Sequence, residues 1–251
     1  MTNTDPQPAD APLAGRRALV VGVETTTGTA IASALGAAGA DVALAVMRPD
    51  EGVLTARRVQ RELRELGRTA MTYALDVTLG QNARVTTRQV AKELGGLDIV
   101  VSAADDPLPQ AMADTSEMQL AQAMTMNCYS HAYVARAAFG EFRRGGRGNL
   151  LIVTHALGDQ PAAGAGVYAL ACAATLGLAR TLVTEHDEPG VAITTLLRGA
   201  VALDASAANL ANAIADADEA EADALARLAV HLASSAAEDV SGRVFSAADA
   251  P

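Results

Sequence analysis

Tyr168 follows His155 by thirteen residues and precedes Cys172 by four, with Asn127 upstream. A phenol, an imidazole, a thiol and a carboxamide are side chains that can move protons, attack carbonyls or hold metals. Imidazole titrates near neutrality, whereas a phenol with a pKa of about 10 is a poor base without help. Tyr168 and Cys172 are one helical turn apart, so a helix puts them on one face. Three chemistries compete. Tyr168 and His155 could form an acid/base pair, and Cys172 with His155 could form a nucleophile and its base. His155 and Cys172 with Cys128 or Asp105 could supply a soft metal set. The spacing matches no metal pattern, and a lone cysteine in the alanine-rich stretch Ala169 to Ala174 reads first as a small core residue. No metal is expected.

These residues need a scaffold. Short apolar runs alternate with helical patterns along the whole chain, which predicts parallel strands joined by crossover helices. Strands are expected at Ala18–Val21, Val42–Val46, Ala70–Ala74, Ile99–Ser102, Leu150–Val153, Ile193–Leu196 and Val244–Ser246. Helices are expected to start near Gly28, Glu51, Asn82, Glu117, Val167 and Glu219. The fold class is α/β, a single doubly wound parallel sheet of about seven strands with helices on both faces. In such sheets ligands bind beyond the carboxyl ends of the strands. The first 13 residues, with Asp5, Asp10, Pro6, Pro8 and Pro12, read as a disordered tail without a signal peptide, and 14–251 as one domain. The run Asp216 to Asp223 reads as a solvated acidic helix face or loop edge.

Bulk properties narrow the function. The chain has 251 residues, half of them apolar, which is enough for one substantial core. A net charge of −10 gives no electrostatic support to a nucleic-acid role. No continuous apolar run reaches the roughly 18 residues of a membrane span. Two cysteines are too few for a disulfide framework and fit a reducing cytoplasm.

The layout of Asn127, His155, Tyr168 and Cys172 resembles that of the short-chain dehydrogenase/reductase family, where Asn, Ser, Tyr and Lys stand at these positions. The strand Ala18–Val21 leads into Gly22-Val-Glu-Thr-Thr-Thr-Gly28, similar to the family's Thr-Gly-x-x-x-Gly-x-Gly. Asp76-Val77 and Val240-Ser-Gly242 match further motifs, so the resemblance covers nearly the whole chain. It implies a Rossmann-type fold and hydride transfer with NAD or NADP. In that chemistry the Tyr168 position is the acid/base, the Lys lowers its pKa and holds the ribose, the Ser binds substrate oxygen, and Asn supports a water relay.

Against that pattern, Cys172 cannot supply the lysine's positive charge, and His155 is larger than Ser. Gly22 and Gly28 remain, but Thr26 replaces the glycine that lets backbone approach the pyrophosphate, and Glu24 brings a carboxylate toward the phosphates. Asp76 and Val77 keep the adenine side, and Arg48 could meet a 2′-phosphate, which favours NADP over NAD. Asn-Asn-Ala-Gly reads Ser102-Ala-Ala-Asp105, with Asp105 beside the nicotinamide. Pro-Gly and the following Thr read Arg198-Gly199 and Leu203, which loses the hydroxyl that anchors the carboxamide or phosphate. The expectation is weak or absent dinucleotide binding and a non-catalytic subunit. It would assemble as a homo- or hetero-oligomer, dimer or tetramer, with an active paralogue as one candidate partner, through the apolar helices bearing Asn127 and Tyr168. An atypical NADP(H) oxidoreductase acting through Tyr168, or a non-redox dehydratase or cyclase using Tyr168 and His155, stays open.

Overall fold

The computed structural model describes residues 11–47, 52–186, 188–199, 214 and 218–251. Arg48 and Leu203, both expected at the cofactor, lie outside the described residues, as does most of the expected N-terminal tail.

Seven parallel strands form one sheet in the order β3-β2-β1-β4-β5-β6-β7. They are β1 Arg17–Val21, β2 Asp41–Val46, β3 Ala70–Ala74, β4 Ile99–Ser102, β5 Gly148–His155, β6 Val191–Arg198 and β7 Val244–Ser246. The order reverses between β1 and β4, where a doubly wound sheet opens its ligand crevice. Alternation within each strand divides the core. Ala18 and Val20 of β1, with Val42, Leu44 and Val46 of β2, join one cluster, while Leu19, Val21, Ala43 and Ala45 join the other. Both faces are covered, so these strands are apolar at nearly every position.

The first cluster packs on α1 (Thr26–Ala37), α2 (Gly52–Glu65) and α7 (Glu219–Ser234), the second on α3 (Gly80–Leu94), α5 (Ser130–Gly145) and α6 (Gly166–Glu185). Helix α4 (Glu117–Met124) runs into α5 through a π-helical turn, Thr125–Tyr129. Helix α6 is long and apolar enough to cross a membrane by length and composition alone. Here it is a core helix, burying Tyr168, Ala171, Cys172, Thr175 and Leu176.

The expected strands are all present, and two run past their apolar runs at the carboxyl end. β5 continues through Thr154 to His155, and β6 through Leu197 to Arg198, so His155 and Arg198 are register partners at the carboxyl edge. Buried polar residues extend these strands, which apolar periodicity does not detect.

Candidate functional site

Tyr168 sits in the first turn of α6, fully buried. Its hydroxyl donates to Asp105 Oδ1 at 2.8 Å and accepts from Arg198 Nη2 at 2.8 Å. The same guanidinium nitrogen pairs with Asp105 Oδ2 and donates to the Ile214 carbonyl at 3.2 Å. Arg198 is 3% exposed and the Asp105 side chain 19%, so the triad reaches solvent only along the Asp105 stem. Burial and the Asp105 charge push the Tyr168 phenol well above its ordinary pKa, and Arg198 opposes them without prevailing. A phenol held neutral and donating to a carboxylate is a poor proton acceptor.

His155, at the end of β5, packs edge-on to Tyr168 with ring centroids 5.7 Å apart. Its Nδ1 accepts the Leu157 N–H at 3.0 Å, which caps the following turn. The Nε2 side of the ring faces Gly199, where an added Cβ would run into the imidazole. Gly199 has φ +70°, so its lack of a side chain serves both backbone and packing. His155 is therefore packed between Tyr168 and Gly199.

Cys172 is buried one turn beyond Tyr168, and burial, reinforced by Asp105, pushes its thiol up to about 11. A thiol at that value is neutral at pH 7 and is neither a cation nor a reactive nucleophile. Among the described residues no cluster of three His, Cys, Asp or Glu side chains is placed to hold a metal.

Asn127 lies in the π-helical turn. Its Oδ1 accepts from the Asp106 N–H at 2.7 Å, and its Nδ2 donates to the carbonyls of Asp106 and Ala123, both at 3.0 Å. Its own carbonyl accepts from Thr175 Oγ1 at 2.6 Å. The π turn thus clamps the segment after β4 to α6, fixing where Asp105 meets Tyr168, a use of π-helical turns common at functional sites. His131, one turn on, supports the same segment. It is buried, its Nδ1 lies 2.7 Å from Ser102 Oγ, and burial lowers its pKa to about 4 despite a backbone hydrogen bond at Ala104. His131 is not among the residues expected from the sequence, and its i,i+4 spacing from Asn127 is the signal that could have found it.

The β1–α1 turn keeps its glycines for close approach. Gly22 has φ +85°, and a Cβ there would run into the Ala103 carbonyl. One at Gly28 would meet the Gly22 carbonyl. Thr25 caps α1, its Oγ1 accepting from the Gly28 N–H at 2.9 Å. Thr26 begins α1 and lines a groove of about 740 Å³ between α1, α2 and α7. The Glu24 carboxylate departs from its expected place at the phosphates. Oε1 accepts from the Met47 N–H at 2.7 Å, so the side chain spans to the end of β2, where the ribose is expected. Asp76 is exposed and closes a local turn by accepting from Thr78 N–H and Oγ1 at 2.9 and 2.6 Å, while Val77 is buried. At the other end of the crevice, Glu221 leaves the acidic face expected for its run and accepts the Gly199 N–H at 2.6 Å.

This crevice at the strand-order reversal, with a buried tyrosine at the start of the sixth helix, agrees with what known proteins show. Residues 16–213 match the short chain dehydrogenase family. The chain belongs to that family. It is 26% identical over 193 residues to a hydroxynaphthalene reductase of Aspergillus fumigatus, covering 77% of this chain and 69% of that one. An uncharacterized oxidoreductase of Mycobacterium tuberculosis is 29% identical over 238 residues, covering 91% and 89%. A short chain dehydrogenase from Burkholderia cenocepacia, solved in complex with NADP, superposes with a TM-score of 0.81 at 25% identity, covering 93% and 96%.

Proposed function

We propose that this chain is a short chain dehydrogenase scaffold that has given up hydride transfer and works as a non-catalytic subunit of an oligomer. The observation carrying this reading is the closed triad of Tyr168, Asp105 and Arg198. The hydroxyl that would face substrate already donates to an internal carboxylate, and a buried cation is committed to both partners.

The dinucleotide fits poorly against the residues present. Gly22 and Gly28 keep the tight turn, but three carboxylates of the chain itself take donors along the crevice. Glu24 holds the Met47 N–H at the ribose end, Asp105 holds the Tyr168 hydroxyl, and Glu221 holds the Gly199 N–H. Cys172 supplies no charge in place of the lysine. NADP or NAD binding is therefore weak or absent. The alternative of acid/base chemistry by Tyr168 and His155 is disfavoured because the imidazole's Nδ1 serves the Leu157 N–H and the phenol's proton goes to Asp105.

The assembly surface lies on α4, the π turn and α6, where Met118, Tyr129 and Leu170 are exposed at 77%, 47% and 44%. Apolar side chains in such numbers on neighbouring helices favour burial against a second subunit, a copy of this chain or an active relative. Two buried, unpaired thiols agree with a reducing cytoplasm.

Two assays test the reading. Cys172→Lys restores the missing cation but leaves Asp105 and Glu24 in place, so little NADPH-dependent reduction of carbonyl substrates is expected. Robust reduction after that one substitution would overturn the proposal. Light scattering at micromolar concentration should give a dimer or tetramer, and a monomer would remove the subunit role.

A further inference from the structure

We infer that Tyr168 and Arg198 form a carboxylate receptor, that Asp105 is its resident occupant, and that a small external carboxylate competes for the same place. The inference goes beyond the loss of hydride transfer, because it assigns the pocket a ligand class whether or not a dinucleotide binds.

The geometry is that of a built anion site. One carboxylate oxygen of Asp105 takes the phenolic O–H at 2.8 Å, and the other takes the Arg198 guanidinium. Both donors are at least nine-tenths buried, with Tyr168 at 0% and Arg198 at 3% exposure. They are also bound to each other at 2.8 Å, so they are fixed before any carboxylate arrives. A buried guanidinium paired with a neutral phenol matches a charged, planar acceptor and rejects neutral ones.

The occupant stands on a different kind of element from its receptor. Tyr168 and Arg198 stand on a core helix and a central strand. Asp105 stands on the irregular segment after β4 and is the triad member with most exposure. The Asp105 side chain beyond Cα is acetate in size and charge. When it swings out, the vacated space takes the head of a short carboxylate, whose remainder follows the same stem to the surface. Leu157, Ala165, Ala169, Cys172 and Ile214 enclose the Tyr168 ring, so water offers poor competition at the phenol side. The intramolecular carboxylate has a high effective concentration, which makes external binding weak in the natural chain.

The test uses sodium acetate as probe, acetamide as the uncharged control, and sodium chloride to hold ionic strength constant. Asp105→Gly places the family's own residue at this position and leaves an acetate-sized hole. In that variant, acetate should raise the melting temperature saturably, by about 3–5 °C at roughly 50 mM, while acetamide should not. The carboxyl carbon of [1-13C]acetate should broaden in NMR on addition of the variant. The natural chain should need at least about tenfold more acetate for the same response. Arg198→Met in the Asp105→Gly background should remove the effect. An absent acetate-specific gain in Asp105→Gly, a gain that survives Arg198→Met, or equal affinity in the natural chain would each overturn the receptor. If Asp105→Gly is unfolded alone, refolding driven by acetate but not acetamide supports the inference, and its absence contradicts it. NADPH titrated in parallel separates the two readings, since tight binding would remove the loss of hydride transfer and leave the acetate result unaffected.

Discussion

At the residue scale the decisive exchange is between a cation lost and a cation gained. In the proposed reading Cys172 stands at the family's lysine position, and burial holds its thiol neutral. A guanidinium reaches the phenol from β6 instead, at Arg198, but arrives with its own counter-charge on Asp105. The net effect is opposite to activation, because burial and the Asp105 charge keep Tyr168 protonated and Arg198 opposes them without prevailing. Breaking one partner should therefore cost stability rather than turnover. Arg198→Met leaves the Asp105 carboxylate beside a buried phenol and should lower unfolding stability by about 2–4 kcal/mol, somewhat under the full cost of a broken buried pair because Asp105 keeps some solvent. Removing both charges in Asp105→Leu with Arg198→Met should recover more than half of that loss. Urea melts of the four chains of this cycle check it, and a strictly additive result would show that the two residues do not act as a pair. Gly22→Ala belongs at the same scale. A Cβ at φ +85° facing the Ala103 carbonyl should cost at least about 2 kcal/mol, measured the same way.

At the element scale, the segment after β4 is held from three sides, by Asn127 from the π turn, by His131 from α5 and by Tyr168 from α6. His131 gives this arrangement a pH signature. Burial lowers its folded pKa to about 4, below the 6.5 of the free side chain. Between those values the unfolded chain binds the proton and the folded chain does not, so stability falls as pH drops from about 6.5 toward 4. The loss is on the order of 3 kcal/mol for this one residue. His131→Asn should flatten that limb of the melting-temperature profile, and an unchanged slope would rule the imidazole out as its source. Much of this frame was legible in the sequence. All seven strands, the order of helices, and the positional match of Asn127 and Tyr168 follow from apolar periodicity and spacing. What escaped was the pairing of charges across strands. Asp105 and Arg198 are 93 positions apart, and each alone reads as an isolated departure from a motif. Their meeting depends on β5 and β6 running on through polar residues to His155 and Arg198, where hydropathy gives no signal. Glu24 misled in a related way. Its place in the turn suggested the phosphates, and only the tight Gly22 bend turns its carboxylate to the end of β2.

At the scale of the whole molecule, an acidic chain of net charge −10 has placed carboxylates along the crevice where its family binds a polyanionic cofactor. The sheet, the strand-order reversal and the glycines of the first turn are intact, so the scaffold is kept. Losing several charge-assisted contacts, at about 1.5–3 kcal/mol each, moves a micromolar ligand beyond the millimolar range. Exposed apolar residues on α4, the π turn and α6 are where the proposed subunit surface would lie. The central claim is that this crevice no longer serves a dinucleotide. Calorimetric titration of the protein with NADPH, repeated with NADH, tests it most directly. The account predicts no saturable heat at cofactor concentrations up to about 1 mM. A dissociation constant tighter than about 10 μM for either cofactor would contradict it, and would return Tyr168 to the role its position has in the family.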